Sequence, residues 1–181
     1  MTQYQFSSLD DMSSWLKAAG IDTSAWGRGT AKSVSDLWQE YIAGESAFEA
    51  HPPARLVEVA QVIIRRGDAV LLEIAQEFAD GRRRERMQPP SEKLKRGEEP
   101  LAATLRCLAE ELGLSPRKVV IERIHPPTEQ TIDSPSYPGL PTRYRMHMVD
   151  VTAASLPDED FFRDNAAPGD PIRRHHWGWW S

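Results

Sequence analysis

The chain has 181 residues, of which 40% are hydrophobic and 27% are charged, a composition typical of a globular protein with a sizeable core. Its net charge of −5 gives no strong signal for nucleic-acid binding. A single cysteine excludes an intrachain disulfide, and no Cys/His cluster indicates zinc. The beginning of the chain lacks the pattern of a secretory leader, and no window approaches the ~20 apolar residues of a membrane helix. We therefore expect a cytoplasmic protein that does not enter membranes.

The first part of the chain, residues 1–52, is predicted to form a helical extension. In "SSLDDMSSWLKAAG", serine and aspartate start signals precede apolar residues, and the pattern stops at a glycine. "TAKSVSDLWQEYIAGE" repeats this arrangement with an apolar stripe at helical spacing. We expect Trp15 and Trp38 to be buried where these helices pack. "HPP" ends the extension, so the main domain is predicted to cover 53–181.

The main domain begins with a pattern rich in β-strand signals. "RLVEVAQVIIRRGDAVLLEIAQEF" predicts a hairpin that turns at Gly67. A basic strand or loop, "RRRERMQPP", follows, and then a helix over 100–112 and the strand "KVVIERI". Residues 125–141 are predicted to form a long loop, "TRYRMHMVDVT" a strand, 154–171 a polar linker and "IRRHHWGWWS" a last strand. This order predicts an α/β fold with a mixed sheet and packed helices.

The last predicted strand contains three tryptophans within four residues. Alternation along a strand places Trp177 and Trp179 on one face and Trp180 on the other, so we expect at least one to be in the core. The group is also a candidate platform for a nucleobase and a candidate homodimer patch. His175 and His176 lack the spacing of a metal-binding pair and are interpreted as ordinary strand residues.

The helix over 100–112 carries two distinct faces. Four leucines recur at spacings of four, three and four residues and predict a core-facing stripe. Cys107, Glu110 and Glu111 lie at i, i+3 and i+4, so they share a different face. Adjacent carboxylates repel unless a positive charge lies between them, and a hard divalent cation such as Mg²⁺ or Mn²⁺ prefers such oxygen ligands. A solvated acidic face is the alternative, and the helix alone does not decide between them.

The spacing of residues around this helix resembles the signature of the Nudix hydrolase superfamily, Gx5Ex7REUxEExGU, in which U is a bulky aliphatic residue. The pattern runs from residue 92 to residue 114. Its matched positions are Glu98, Arg106, Leu108, Glu110, Glu111, Gly113 and Leu114. The resemblance extends over roughly 54–180 and leaves the N-terminal helices outside it.

This resemblance implies a Nudix-type α/β/α sandwich and a divalent-metal-dependent hydrolase that cleaves the pyrophosphate bond of a nucleoside diphosphate linked to another group. It implies that Glu98, Glu110 and Glu111 hold Mg²⁺ or Mn²⁺, with Glu110 also counted among the catalytic residues. Arg106 is expected to orient the glutamates through salt bridges. A general base from a later loop is common in the family, which makes Glu129 or the nearby Asp133 a candidate.

Two positions depart from the signature. Glu92 occupies the position of the first glycine, and Cys107 that of the glutamate after the arginine. Cysteine is a poor ligand for Mg²⁺, and its ordinary role is that of a small packed side chain. Glu92 is a candidate catalytic residue that supplies the carboxylate missing at 107, and the alternative is a loop residue that pairs with Lys93 or Lys95.

Candidate substrate contacts lie outside the signature. Arg84 and Arg86 match the geometry of pyrophosphate oxygens, although a solvated edge strand explains them equally well. Tyr137 is a candidate for stacking on a base or ribose. The resemblance implies a nucleotide-type small molecule as the partner, and these residues are candidates for contacting it. The alternative to an enzyme is a catalytically impaired Nudix-fold module that binds a nucleotide or a protein, and the loss of the glutamate at Cys107 favours it.

Overall fold

The computed structural model describes residues 3–165 and 171–181, which form three α-helices, a short 3₁₀ helix over Pro116–Lys118 and eleven strands. The α-helices are α1 (Leu9–Ala18), α2 (Val34–Ile42) and α3 (Pro100–Leu112). The strands are β1 (Gln3–Tyr4), β2 (Ala47–Ala50), β3 (Pro53–Arg66), β4 (Ala69–Phe78), β5 (Arg83–Gln88), β6 (Ser91–Lys93), β7 (Val120–Ile124), β8 (Thr128–Asp133), β9 (Pro141–Thr152), β10 (Phe161–Asp164) and β11 (Ile172–Trp180).

The chain divides into two compact units. The first unit comprises Met1–Val59, Lys93–Glu98 and Thr128–Met146. The second unit comprises Ala60–Glu92, Glu99–Pro127 and His147–Ser181. Strands β3, β6 and β9 contribute residues to both units.

The first unit contains α1 and α2, each of which begins at a serine cap. The Ser8 hydroxyl accepts a hydrogen bond from the backbone N–H of Asp11, and Ser33 forms a reciprocal capping box with Asp36. Strand β2 pairs antiparallel with β1 and with the start of β3, and β8 pairs antiparallel with the start of β9. The core of this unit is rich in aromatic residues and includes Phe6, Met12, Trp15, Leu16, Trp26, Leu37, Tyr41, Phe48, Tyr137 and Leu140.

The second unit is built around β4, which pairs antiparallel with the end of β3, with β5 and with β11. Strand β10 pairs antiparallel with β11, and β7 pairs antiparallel with the end of β9. Helix α3 begins with Pro100 and ends at Gly113, whose φ of 65° is the left-handed conformation that favours glycine. One face of α3 packs into a core that includes Val62, Ile64, Leu71, Cys107, Leu108, Leu112, Val149, Val151 and Trp177.

Most of the predicted elements are confirmed, including the α/β class with an N-terminal helical segment. The hairpin turns at Gly67, α3 spans 100–112, and both N-terminal helices are present. Trp15 is buried, and Trp38 is partly buried beside Tyr41. None of the described helices is long and apolar enough to span a membrane.

Five short strands were not predicted. Strand β8 lies in the predicted long loop, β10 in the predicted linker, and β6 just before the helix. All six residues of β8 are exposed, so no apolar alternation reveals it from the sequence. The N-terminal segment also holds β1 and β2 beside its helices. The part of the predicted linker over 166–170 lies outside the described residues.

Candidate functional site

The exposed end of helix α3 in the second unit brings acidic residues and arginines together. Arg106 Nη1 lies 3.0 Å from Glu92 Oε1 and 4.0 Å from Glu110 Oε2. Glu110 is exposed, whereas Glu92 and Arg106 are partly buried. Glu92 therefore pairs with an arginine of the signature, and a role for it as a replacement carboxylate stays a prediction.

Glu111 lies deeper on the same helix, and its environment opposes its negative charge. Burial is the largest cause that raises its pKa, which reaches about 8. The charges of Glu73, Glu92 and Glu110 raise it further, and Arg86 acts in the opposite direction. Three other glutamates of the second unit therefore oppose the charge of Glu111, and Arg86 does not fully compensate them.

Glu73 and His175 are the two residues of this region that the sequence analysis did not single out. Glu73 is 4% exposed on β4, and His175 is 6% exposed on the neighbouring β11. His175 Nδ1 lies 2.5 Å from Glu73 Oε1. The interpretation of His175 as an ordinary strand residue is thus incomplete, because it pairs with a buried carboxylate. A charged residue within the apolar run "VLLEIA" was the available signal.

The two arginines predicted to contact substrate lie on β5, which pairs with β4. Arg86 Nε lies 3.0 Å from Glu73 Oε2, and its Nη2 donates a hydrogen bond to Gln88. Arg84 donates to the side-chain oxygen of Gln76, a β4 residue that itself donates to Glu73. Both guanidinium groups are therefore held toward the strand that carries Glu73.

Cys107 is completely buried in the core of the second unit. Burial is the main cause that raises the pKa of its thiol well above the ordinary value, and the charge of Glu111 adds to it. A buried thiol with such a pKa is neither a nucleophile nor a ligand for a hard cation. The packed side chain that the sequence analysis favoured for Cys107 fits this environment.

The remaining predicted site residues lie in the first unit. Glu98 accepts a hydrogen bond of 2.8 Å from the backbone N–H of Lys95. Glu129 is exposed on β8 opposite Arg145, and Asp133 accepts a hydrogen bond from the backbone N–H of Gly139. Their predicted roles in metal binding and base catalysis stay predictions.

Tyr137 also belongs to the first unit, where it is completely buried. Its ring packs at 5.2 Å from Trp26, and the Arg55 guanidinium lies 4.9 Å above its centre. A stacking contact with a base or ribose would require this ring to become accessible. The role of Tyr137 in substrate binding therefore stays a prediction, and its burial does not add support to it.

The donor chemistry of the second unit suits a hard divalent cation, because the charges of Glu73, Glu92 and Glu110 all act on Glu111 and carboxylate oxygens are the ligands that such a cation prefers. Over residues 3–165 and 171–181, no group of three or more His, Cys, Asp or Glu side chains is arranged to hold a metal ion. The residue types thus fit such a cation, and dependence on it is proposed as part of the function.

Comparison with known proteins finds likeness among solved structures. No protein-family model matches the chain, and no curated protein matches it. A NUDIX hydrolase from Nitrosomonas europaea is 21% identical over 69% of this chain and 72% of that chain, with a TM-score of 0.46. A NUDIX-family hydrolase from Clostridium perfringens is 18% identical over 68% of this chain and 80% of that chain, with a TM-score of 0.41.

An Ap4A hydrolase from C. elegans is also similar, at 18% identity over 68% of this chain and 79% of that chain, with a TM-score of 0.37. Two of these three solved structures are described as NUDIX hydrolases, the family that the signature resembles. At these identities and TM-scores, activity and substrate are not transferable, and the function is inferred below from residues of this chain.

Proposed function

We propose that the chain is a Nudix-type hydrolase that uses Mg²⁺ or Mn²⁺ to cleave the pyrophosphate bond of a nucleoside diphosphate linked to another group. The observation that carries the proposal is the crowding of carboxylates around Glu111, whose charge burial and three other glutamates oppose. Binding of a divalent cation would offset this repulsion directly. A solvated acidic face would not raise the pKa of Glu111 in this way.

In this proposal Glu110 and Glu111 bind the cation from consecutive positions of α3, and Glu98 is retained as the third ligand that the signature implies. A bound divalent cation supplies neutralisation of phosphate charge and activation of the attacking water. Glu92 is the proposed general base, and the contact of 3.0 Å with Arg106 orients its carboxylate. Glu129 is kept as the alternative base.

The arginines of β5 complete the proposed site. Arg84 and Arg86 each carry guanidinium donors that suit the oxygens of a pyrophosphate. Arg86 acts electrostatically on Glu111, which places its positive charge in the same environment as the acidic residues. The substrate class of the proposal is therefore a nucleotide-type small molecule. We also propose that the protein is located in the cytoplasm and forms a homodimer.

The test is a hydrolysis screen in Mg²⁺ and Mn²⁺ over dinucleoside polyphosphates, nucleotide sugars, ADP-ribose and nucleoside triphosphates. We expect Glu92→Gln to lower turnover by ~10²–10⁴-fold, as the loss of a general base typically does. Glu111→Gln should abolish Mn²⁺ binding measured by calorimetry. Glu122→Gln, on the exposed strand β7, is the matched control and should change neither quantity. A wild-type chain that neither binds Mn²⁺ nor turns over any substrate would contradict the proposal.

The burial of Cys107 supports a second candidate function. At this position the signature has a glutamate, and here a completely buried thiol packs into the core. The chain would then be a catalytically impaired module that binds a nucleotide or a protein. Nucleotide binding without turnover, by wild type and by Glu92→Gln alike, would favour this function over the hydrolase.

A further inference from the structure

The carboxylate of Glu73 is held by two hydrogen-bonded side chains and one ion pair in the second unit. His175 Nδ1 lies 2.5 Å from Oε1, and Gln76 Nε2 donates to Oε2 at 3.1 Å. Arg86 Nε lies 3.0 Å from Oε2. Glu73 is 4% exposed, and a carboxylate that is buried as an ion needs such partners, because its burial without them costs much free energy. The orientation of Glu73 is therefore tightly determined.

His175 is itself held in place from two sides. Its ring stacks on that of Trp177 with centroids 6.1 Å apart and an interplanar angle of 26°. The register of β4 and β11 places Trp177 opposite Glu73 and His175 opposite Gln76. The imidazole has little freedom to turn, and its Nδ1 lies within hydrogen-bond distance of the Glu73 carboxylate.

Arg86 is the member of this group that retains capacity for a ligand. Its Nε is buried and, in the part of the chain that the structure describes, makes no hydrogen bond, because the approach to Glu73 lacks hydrogen-bond geometry. The Arg86 side chain is 27% exposed, and its Nη2 donates to Gln88, an exposed residue of the same strand. Glu73 thus holds the buried Nε side of the guanidinium by charge, so the terminal nitrogens are the donors to offer a ligand.

We propose that Glu73 and His175 are positioning residues that hold the Arg86 guanidinium in place to bind a pyrophosphate beside the carboxylates of α3. The inference rests on the proposed function, since it takes the pyrophosphate from there. Glu73 opposes the negative charge of Glu111 and Arg86 favours it, so both side chains act on the acidic group of α3.

The experiment measures affinity for inorganic pyrophosphate in Mg²⁺ by calorimetry, with melting temperatures in parallel, on the full chain. We expect Arg86→Ala, Glu73→Gln and His175→Leu each to weaken binding about tenfold or more, since a hydrogen bond to a charged group contributes on this order. His175→Asn should retain affinity within about twofold, because its amide nitrogen, like Nδ1, is bonded to Cγ and can donate in the same place. Arg83→Ala is the matched control, because Arg83 lies on the same strand and pairs with Glu85.

The double variant Glu73→Gln with Arg86→Ala should bind no more weakly than Arg86→Ala alone, because both changes remove the same contact. If Glu73→Gln and His175→Leu lower the melting temperature and still bind pyrophosphate as wild type does, the two residues are structural and the inference is wrong. If Glu73→Gln does not fold, the comparison of His175→Leu with His175→Asn decides. A wild type that binds no pyrophosphate contradicts the proposed function instead, and unaltered binding by Arg86→Ala contradicts the inference.

Discussion

The substitution Glu40→Gln tests whether a buried charge cluster stabilises the first unit. Glu40 lies on α2 and is 7% exposed. Its carboxylate is 2.7 Å from Lys32 Nζ and 2.8 Å from Lys93 Nζ, and it also pairs with the guanidinium of Arg55. Arg55 is only 2% exposed, so the substitution would leave a buried positive charge without its closest negative partner.

The size of the effect follows from the pKa of Glu40. Burial by itself raises this pKa, but Arg55, Lys93 and Lys32 outweigh burial and lower it from 4.5 to about 2. This difference corresponds to roughly 3 kcal/mol of stability for the ionised form. Because the pKa is lower in the folded state, the contribution is fully present above pH 4.5 and is lost as the pH falls toward about 2. Breaking a buried ion pair typically costs ~3–5 kcal/mol, which agrees in size.

The assay is urea unfolding followed by tryptophan fluorescence at a series of pH values. We expect Glu40→Gln to lower the free energy of unfolding by about 3 kcal/mol at pH 7, with the gap to wild type narrowing as the pH falls below the ordinary carboxylate pKa. Glu45→Gln is the matched control, because Glu45 is 27% exposed and lies 3.5 Å from Lys93. Its loss should stay within about 1 kcal/mol.

Two results would refute this reasoning about Glu40. One is a loss below about 1 kcal/mol at neutral pH, which would mean that desolvation cancels the attraction of the three cations. The other is a gap between wild type and variant that stays constant down to a pH near 2, which would locate the stabilisation in something other than the charge of this carboxylate.

Three further predictions concern the second unit. Cys107 should react with a thiol reagent only after unfolding, because it is completely buried and its pKa is raised, and fast labelling of the native chain would contradict this. The pKa of Glu111 is raised to about 8 in the folded protein, so the metal-free protein should lose stability as the pH rises from about 4.5 through 8. Melting curves of Glu111→Gln, recorded in a chelator over the same pH range, should not show this loss. If wild type and Glu111→Gln lose the same stability over this pH range, the pKa of Glu111 is not raised as described. Gly178→Ala should lower the free energy of unfolding, measured by urea unfolding, by about 1 kcal/mol, because a Cβ there would lie 2.4 Å from Ile74 Cδ1 and 2.5 Å from Asp160 Oδ1 and both side-chain ends would have to move.

Elements with local signals could be predicted from the chain alone. Helix α3 has a proline at its start and a glycine at its end, but the predicted leucine stripe is only partly confirmed, because Leu108 and Leu112 are buried whereas Leu101 is 39% exposed. The hairpin of β3 and β4 turns at Gly67, which adopts a positive φ of 58°. The spacing on the helix likewise predicted that Arg106 and Glu110 are neighbours, because side chains four residues apart lie on the same face, and Arg106 Nη1 lies 4.0 Å from Glu110 Oε2.

Which distant residues lie near helix α3 depends on the tertiary structure and could not be predicted from the sequence. Glu73 and His175 are separated by about a hundred positions in the chain, and their contact depends on the pairing register of β4 and β11, which no local pattern specifies. Strands β8 and β10 escaped prediction for a related reason, since their evidence lies in partner strands rather than in their own composition. The burial of Cys107 was likewise settled by the side chains that other elements pack around it.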